Sequence, residues 1–266
     1  MSVTPAPRPS RLGRLERPAL LGVLVREMIN FSSYWRSTTF SATVEPTIYL
    51  LAFGFGFGSL VATVGGYDYV DFVGTGTVAT AVLFSSAFAA MFGTFVKHQF
   101  QRTYDAILAA PVDTEELVTA EALWLAVRAG TYGCAPLLVA MVLGLDPAFG
   151  MLLVPLFAFV AGFGWACLGI CVSAKAKSIE NFNYVISAGL TPLFLVAGTF
   201  FPLDQLPEWA QTLGQLNPLY HLVELVRHAA FGFEGWTDVA HFGVILAFGL
   251  LTWRLAVRWM SKRLID

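Results

Sequence analysis

Charge is what this sequence has least of. Asp, Glu, Lys and Arg make up 13% of its 266 residues, whereas an ordinary soluble domain has about 25%. Hydrophobic residues account for 56% of the chain, and the mean hydropathy is +0.67. These values exclude a typical soluble domain and favour a protein of the lipid bilayer. The net charge of −2 indicates no particular partner. We expect no nucleic-acid partner.

Cysteine is also scarce, and the common catalytic motifs are missing. Cys134, Cys167 and Cys171 supply too few ligands at suitable spacing for a metal site, so we expect small buried apolar side chains. The sequence has no GxxxxGK[ST] phosphate loop, no acid pair at catalytic spacing and no Ser–His–Asp arrangement. We therefore expect no catalysis, no cofactor and no metal on this chain, and any energy source must come from another one.

Glycine is abundant in one apolar run, LAFGFGFGSL, which contains Gly54, Gly56 and Gly58. A dinucleotide-binding fingerprint would need a strand before these glycines and a βαβ unit around them. An apolar membrane helix provides neither, whereas Gly54 and Gly58 form a small-residue face that allows close helix packing. Helix packing is the favoured interpretation.

Long apolar runs are the main feature that is present. A helix needs about 20 residues to cross the hydrocarbon core. Six runs of about this length predict six membrane spans, at 44–64, 72–96, 122–144, 150–172, 182–201 and 238–259. An amphipathic stretch at 19–41 predicts a helix lying in the membrane interface. Residues 1–18 lack the apolar core of a signal peptide and predict a disordered basic tail.

Lys and Arg are distributed unevenly around these spans. Arg227 lies in the opposite set of loops and Arg128 lies inside span 3. Every other Lys and Arg falls in the tail, the interfacial helix, the loops after spans 2 and 4, or the C-terminal end. Because cytoplasmic loops carry the excess of positive residues, we predict that both termini and the acidic segment 101–123 are cytoplasmic. The carboxylates after Pro111 are expected to begin the next helix, where they complement its dipole.

The segment 202–237 would then be external, yet it is largely apolar and interrupted by prolines. Its helical pieces are too short to span, so we predict re-entrant or interfacial helices that form an external gate. Within it, the run HLVELVRH places Glu224 within reach of Arg227 and His228. A metal site would need a further ligand, so local pairing is the favoured interpretation.

The sequence is compatible with two roles for each of two ionisable residues, Glu45 and Arg128. Glu45 opens span 1, and Arg128 lies within span 3. Ionisable groups inside membrane segments often mark a substrate path, but a structural anchor explains each position equally well. The sequence does not decide between these roles.

Three stretches carry a resemblance to a known family: EPTIYLLAFGFGFGSLV, YDAILAAPVDTEELVTAEALWLAVRA and FFPLDQLPEWAQTLGQLNPLYHLVELVRHAAFG. The chain resembles the membrane subunit of an ABC-2 type exporter, most closely the nodulation-protein-J branch of lipo-oligosaccharide and drug exporters. The resemblance covers roughly residues 20 to 262. It implies an all-α polytopic transmembrane domain over 42–262, with six spans, an interfacial N-terminal helix and short external helices at 203–233.

The resemblance also implies site residues. A coupling segment at 98–116 would dock a cytoplasmic ATPase through Tyr104, Ile107, Leu108, Ala109 and Pro111. The translocation path would include Glu45, Phe53, Phe57, Phe88, Thr191 and Phe194. The external gate would include Phe201, Pro202, Trp209, Asn217, Pro218, His221 and Glu224.

The function implied is export of a lipid-linked saccharide, lipo-oligosaccharide or glycolipid across a bacterial inner membrane. The expected partners are two copies of an ATPase that binds ATP and Mg²⁺, a second permease copy and membrane lipid, but no nucleic acid. Alternatives are export of a small hydrophobic drug, a secondary transporter and a non-transporting scaffold. A secondary transporter would be expected to show inverted repeats, and no convincing repeat is present.

Overall fold

The computed structural model describes residues 17–58, 60–61 and 63–265, apart from the side chains of residues 17, 45, 46, 55 and 265. The tail predicted at 1–18 therefore lies almost wholly outside the described residues. The helices are α1 (Arg17–Ser32), α2 (Trp35–Gly58), α3 (Tyr69–Leu83), α4 (Ala89–Phe95), α5 (Thr103–Leu108), α6 (Thr114–Tyr132), α7 (Ala135–Leu143), α8 (Val154–Lys175), α9 (Asn181–Val185), α10 (Thr191–Leu195), α11 (Glu208–Gln215), α12 (Pro218–Phe231) and α13 (Trp236–Ile265).

Short irregular helical segments join several of these helices. Three π-helical segments lie at Phe84–Phe88, Val96–Phe100 and Ile186–Leu190, and two 3₁₀ turns lie at Phe149–Leu153 and Leu203–Gln205. A small antiparallel hairpin joins β1 (Thr63–Val64) to β2 (Tyr67–Asp68), with Thr63 opposite Asp68 and Val64 opposite Tyr67.

In the described part of the chain, five helical segments are long and apolar enough to cross a membrane. They are Trp35–Gly58, Tyr69–Phe100, Thr114–Leu143, Phe149–Lys175 and Trp236–Leu264. These segments correspond to predicted spans 1 to 4 and 6. The predicted all-α polytopic membrane fold is confirmed.

The first span lies earlier in the chain than predicted. α1 ends at Ser32, where the Ser32 and Ser33 hydroxyls donate to the carbonyls of Ile29 and Asn30. Such local bonds compete with continuation of a helix. α2 then begins at Trp35 instead of 44, so the predicted interfacial helix at 19–41 is divided between α1 and the start of α2.

The far end of the first span is also earlier than predicted. α2 ends at Gly58, and the chain turns at Gly65 and Gly66, whose φ angles are +61° and +88°. This backbone region strongly favours glycine. The hairpin therefore uses residues that hydropathy alone assigned to a span continuing to 64.

The fifth predicted span, 182–201, differs most. Its helical part runs from Asn181 to Leu195, a length of about 22 Å at 1.5 Å per residue. That is less than the hydrocarbon core thickness of about 30 Å. The chain then turns at Gly198, which has a φ of +78°. The fifth membrane element is therefore a shorter helix followed by a buried turn.

The helix α8 lies at the centre of the bundle, between α6 and α13. Glycines allow the close contacts: a Cβ on Gly164 would lie 2.7 Å from Phe248 Cδ1 in α13. The predicted packing role of Gly54 agrees with a Cβ position 3.4 Å from Val70. Cys167 and Cys171 are buried and Cys134 is partly buried, as expected.

Candidate functional site

A cavity of about 320 Å³, with hydroxyl groups set in a mainly apolar wall, opens between α2, α3, α6 and α10. We call it the hydroxyl cavity, because Ser, Thr and Tyr side chains dominate the polar part of its wall. Its lining residues are Ser37, Thr38, Ser41, Ala42, Tyr49, Thr77, Thr80, Ala81, Phe84, Ser85, Arg128, Tyr132, Phe194 and Phe200. Part of the wall is the π-helical segment Phe84–Phe88, a type of helix distortion that often occurs at functional sites.

Several hydroxyls of the cavity wall already have partners. Tyr132 Oη lies 2.8 Å from Thr39 Oγ1, and Thr77 Oγ1 donates to the Gly74 carbonyl at 2.9 Å. By contrast, the buried atoms Thr80 Oγ1 and Arg128 Nε have no hydrogen-bond partner within the described chain. The cavity therefore keeps unused donor capacity on two of its walls.

A second, nearly apolar groove of about 520 Å³ adjoins the hydroxyl cavity. We call it the aromatic groove. Its lining residues are Tyr49, Phe53, Phe57, Val61, Val64, Tyr69, Phe194, Leu195, Phe200, Phe201 and Pro202. Tyr49, Phe194 and Phe200 line both spaces. The two spaces therefore form one continuous surface, with hydroxyl groups and Arg128 at one end and an almost wholly apolar wall at the other.

Stacked rings form the wall of the aromatic groove. The Phe53 ring centroid lies 5.7 Å from that of Phe57 and 4.6 Å from that of Phe200. Phe53 and Phe57 belong to α2, whereas Phe200 belongs to the turn after α10. The groove is thus closed on one side by contacts between α2 and this turn.

Only some of the residues predicted for the translocation path line the hydroxyl cavity or the aromatic groove. Phe53, Phe57 and Phe194 line the aromatic groove, and Phe194 also lines the hydroxyl cavity. Phe88 lies behind the cavity wall, with its ring 4.6 Å from that of Phe84, and Thr191 begins α10. The side chain of Glu45 lies outside the described residues. Contact between any of these residues and a transported molecule stays a prediction.

The predicted coupling segment forms the short helix α5. Ile107 and Leu108 are half-buried, whereas Ala109 and Pro111 are exposed just after the helix. Tyr104 differs from these four because its side chain is 1% exposed and points into the bundle. Ile107 and Leu108 also pack against the buried cluster that contains Tyr104. Tyr104 therefore anchors the helix, and docking of a partner on the other four residues stays a prediction.

The anchor of α5 is a set of buried charges that we call the buried charge network. Lys97 Nζ lies 2.8 Å from Glu27 Oε2 and 2.8 Å from Glu121 Oε1. Tyr104 donates its hydroxyl hydrogen to Glu121 Oε2. Burial, together with the Glu121 carboxylate, raises the pKa of Tyr104 well above its ordinary value, so the phenol remains a donor. The network joins α1, the end of the second span, α5 and α6.

The helix α6 begins at the position that the acidic residues after Pro111 indicated. Glu115 and Glu116 occupy its first turn, where carboxylates complement the helix dipole. The Asp113 N–H donates to Glu116 Oε2 at 2.9 Å. The prediction that the carboxylates after Pro111 start a helix is confirmed.

The short helices between the last two predicted spans are also present. α11 exposes Trp209 and Leu213, and Leu216 is exposed just after the helix. Most of α12 is buried against α3, α8 and α13. Asn217 caps α12 by accepting from Leu219 N–H at 3.0 Å, and its Nδ2 donates to the Leu193 carbonyl at 2.6 Å. Asn217 thereby ties α12 to α10, while Pro218 takes the first helical position.

Arg227 ties α12 to the turn after α10. Its Nη2 donates to the Gly198 carbonyl at 3.0 Å, its Nη1 donates to Glu224 Oε1 at 2.6 Å, and its Cζ lies 3.9 Å from the Phe72 ring centroid. The predicted pairing of Glu224 and Arg227 is confirmed. Of the predicted gate residues, Phe201 and Pro202 line the aromatic groove.

His221 and His241, which we call the histidine pair, join α12 to α13. His221 Nε2 lies 2.8 Å from the Gln215 carbonyl, and its Nδ1 lies 2.6 Å from His241 Nδ1. Because a carbonyl can only accept, His221 carries its hydrogen on Nε2 and accepts from His241 through Nδ1. Nearby, His228 Nδ1 lies 2.6 Å from Asp238 Oδ1. Among the described residues, no group of three or more His, Cys, Asp and Glu is placed to hold a metal ion.

Sequence reasoning missed Glu27, Lys97 and Thr80 as site residues. The partners of Lys97 lie 70 and 24 residues away in the chain, so no local spacing links them. For Arg227, the sequence predicted pairing with Glu224 from their spacing. It did not predict the turn that Arg227 binds.

Comparison with known proteins gives a consistent family. A family model described as ABC-2 type transporter matches residues 19–231. The chain is 32% identical over 222 residues to nodulation protein J of Sinorhizobium fredii (strain NBRC 101917 / NGR234), covering 84% of this chain and 85% of that protein. It is 30% identical over 221 residues to nodulation protein J of Rhizobium meliloti (strain 1021), covering 83% and 84%. It is also 26% identical over 249 residues to the inner membrane transport permease YadH of Escherichia coli (strain K12), covering 92% and 97%.

Proposed function

We propose, from the premise that this chain belongs to the ABC-2 type transporter family, that it exports an amphipathic molecule such as a lipid-linked saccharide or lipo-oligosaccharide. As an integral membrane subunit of such a transporter, it depends on a separate ATPase. We further propose that both termini and α5 face the cytoplasm of a bacterium. This orientation follows from the distribution of Lys and Arg along the chain.

One observation carries the proposed substrate class. The hydroxyl cavity and the aromatic groove are continuous through Tyr49, Phe194 and Phe200. An amphipathic molecule presents polar and apolar parts to its binding site at the same time, and this surface offers a matching polar wall and apolar wall.

A small hydrophobic drug is the second candidate, and the aromatic groove favours it. Pockets for drug-sized molecules are mostly apolar, with few polar groups, and the groove has this character. A drug of that kind would leave the hydroxyl cavity unused. Stimulation of ATP hydrolysis by each class in reconstituted liposomes separates the two candidates.

Coupling to ATP hydrolysis requires a stiff element between the ATPase and the membrane helices. α5 meets this requirement, because Tyr104 and the buried charge network fix it to α1, α6 and the second span. We propose that two ATPase copies dock on Ile107, Leu108, Ala109 and Pro111 in an assembly of two permeases. Their closure on ATP would then move α5 together with the helices to which it is anchored.

Substitution of the proposed docking surface tests this function. Leu108→Asp places a charge on the proposed docking face, so we expect co-purification with a co-expressed ABC ATPase to be lost. Because Leu108 also packs against the buried cluster that contains Tyr104, the unfolding midpoint of each variant is measured alongside. Leu213→Asp is the control, because Leu213 is an exposed leucine of α11, outside the predicted coupling segment. Retained ATPase binding by Leu108→Asp, or equal loss in both variants, would overturn the proposed docking.

A further inference from the structure

Arg128 is the cation of the hydroxyl cavity. Its Cζ lies 5.2 Å from the centroid of the Phe31 ring, and the side chain lines the cavity wall. None of the carboxylates that the structure describes lies within ion-pair distance of it. Arg128 is half-buried and its Nε is buried. A partly desolvated charge without an opposite partner is costly, and contact with an aromatic face offsets only part of that cost. Arg128 therefore has capacity for an anion.

Neutral donors surround the same space. Thr80 Oγ1, on α3, is buried and has no partner within the described chain, and Ser41 adds a hydroxyl from α2. Together with the guanidinium of Arg128, these groups come from three helices. Arginine presents several donors in a planar fork that matches phosphate, sulfate and carboxylate oxygens. The cavity thus combines a charged donor with hydroxyl donors.

We propose that Arg128 and Thr80 bind the anionic group of an amphipathic ligand, a phosphate, sulfate or carboxylate, while its apolar tail lies in the aromatic groove. This inference rests on the proposed function, because it names the class of molecule that the same surface takes. It also assigns Arg128 a ligand-binding role that the sequence left undecided. The substrate is then an anionic amphiphile instead of any molecule with a polar end.

A single-chain alkyl phosphate provides the direct probe. The full chain is purified in neutral dodecyl maltoside and titrated with dodecyl phosphate, and the midpoint of thermal unfolding and the binding isotherm are recorded. We expect dodecyl phosphate, but not dodecanol, to raise the midpoint, because dodecanol has the same tail and no charge.

The variants separate charge from shape. Arg128→Gln should weaken dodecyl phosphate binding about tenfold or more, and Thr80→Val should weaken it by a smaller factor, since bonds to charged groups are the stronger ones. Arg128→Lys should retain part of the affinity. Arg36→Gln is the matched control, because Arg36 also lies over an aromatic ring, that of Trp35, at 5.7 Å, but does not line the cavity.

Two sources can supply such an anion, the transported molecule or a bilayer lipid. Nanodiscs of phosphatidylcholine alone and nanodiscs containing phosphatidylglycerol distinguish them. If phosphatidylglycerol weakens dodecyl phosphate binding, the site binds an anionic bilayer lipid. If dodecyl phosphate binds equally in both kinds of nanodisc, the site is reserved for the transported molecule. Either result supports an anion site at Arg128.

Two results would overturn the inference. One is equal binding of dodecyl phosphate by Arg128→Gln, Thr80→Val and the unmodified chain. The other combines two observations: Arg128→Gln lowers stability and a further Glu45→Gln substitution restores it, while dodecyl phosphate binding is unchanged in every variant. Arg128 would then serve as an internal counter-ion and not as a ligand-binding residue. Both results are independent of ATPase docking, so the Leu108→Asp experiment can fail or succeed separately.

Discussion

At the scale of single residues, Lys97 is the centre of the buried charge network. Its side chain is 16% exposed and that of Glu121 is 4% exposed, so solvent screens their interaction little. Two carboxylates share the one ammonium group, and Tyr104 supplies a further hydrogen bond to Glu121. Such a cluster is stabilising only while every member keeps its partners, because an uncompensated buried charge is expensive.

Removal of the Glu121 charge tests this network. In Glu121→Gln, Lys97 keeps Glu27 as its counter-ion but loses a charge-assisted hydrogen bond, so we expect the free energy of unfolding to fall by about 2 kcal/mol. The measurement is the unfolding midpoint in neutral detergent. Asp105→Asn is the control, because the Arg102–Asp105 pair is 77% and 53% exposed and should change stability by less than about 0.5 kcal/mol. Similar midpoints for the two variants would show that the network contributes little.

At the scale of helices, the sequence predicted what depends on local pattern. Apolar length located spans 2, 3, 4 and 6, and the carboxylates after Pro111 located the start of α6. These features need only residues that are close in the chain. Hydropathy also indicated an apolar fifth element, but it could not reveal where that helix ends.

The end of the fifth element depends on distant partners. Its turn is held by Arg227, which donates to the Gly198 carbonyl, and by Asn217, which donates to the Leu193 carbonyl. A Cβ on Gly76 would lie 2.6 Å from the Thr199 carbonyl oxygen, so α3 and this turn are in direct contact. Such contacts join residues far apart in sequence, and for this reason the aromatic groove could not be assembled from the sequence alone.

The histidine pair gives the junction of α12 and α13 a pH dependence. Burial lowers the pKa of His221 from its ordinary value of 6.5, and His241 lowers it further, while Glu224 acts in the opposite direction. The unfolded chain therefore takes up a proton at His221 at a higher pH than the folded chain does. Stability from this junction is present above pH 6.5 and falls as the pH drops below that value.

We expect the unfolding midpoint to decrease between about pH 7 and pH 5. In the folded protein His241 Nδ1 donates its hydrogen to His221 Nδ1, and protonation of His221 would place a second N–H against that donor. His221→Gln should reduce the midpoint at pH 7 and flatten this decrease. Thr212→Ala, which alters an exposed residue of α11 that carries no titratable group, should leave the slope unchanged. An identical slope in His221→Gln and the unmodified chain would assign the pH dependence to other groups.

At the scale of the whole molecule, α2 is the span least covered by its own chain. In its most apolar window 13% of residues are buried, against 61% for the segment Tyr69–Phe100. Its main contacts are with α3 and α7, and Phe53 meets Phe200 in the turn after α10. A helix held this weakly can move away from that turn, which would open the aromatic groove sideways toward lipid or a second permease copy.

Linking α2 to the turn should therefore stop transport while leaving the rest of the assembly intact. In a Cys134→Ser background, Phe53→Cys with Phe200→Cys replaces two rings whose centroids are 4.6 Å apart, and a bifunctional methanethiosulfonate reagent joins the two thiols across the space that the rings leave. After cross-linking we expect ATP-dependent export of the cargo from reconstituted vesicles to fall to background, while ATPase binding at α5 persists. Reduction, which releases the cross-linker, should restore export, because the groove can open again.

A matched pair elsewhere separates this effect from general stiffening. Phe157→Cys with Phe242→Cys links α8 to α13, where the ring centroids lie 5.9 Å apart, away from the groove. We expect this second link to form and to leave export close to that of the unlinked protein, since α8 and α13 already pack along their length. Equal inhibition by both links, or full export with α2 fixed to the turn, would mean that the aromatic groove is not opened by movement of α2.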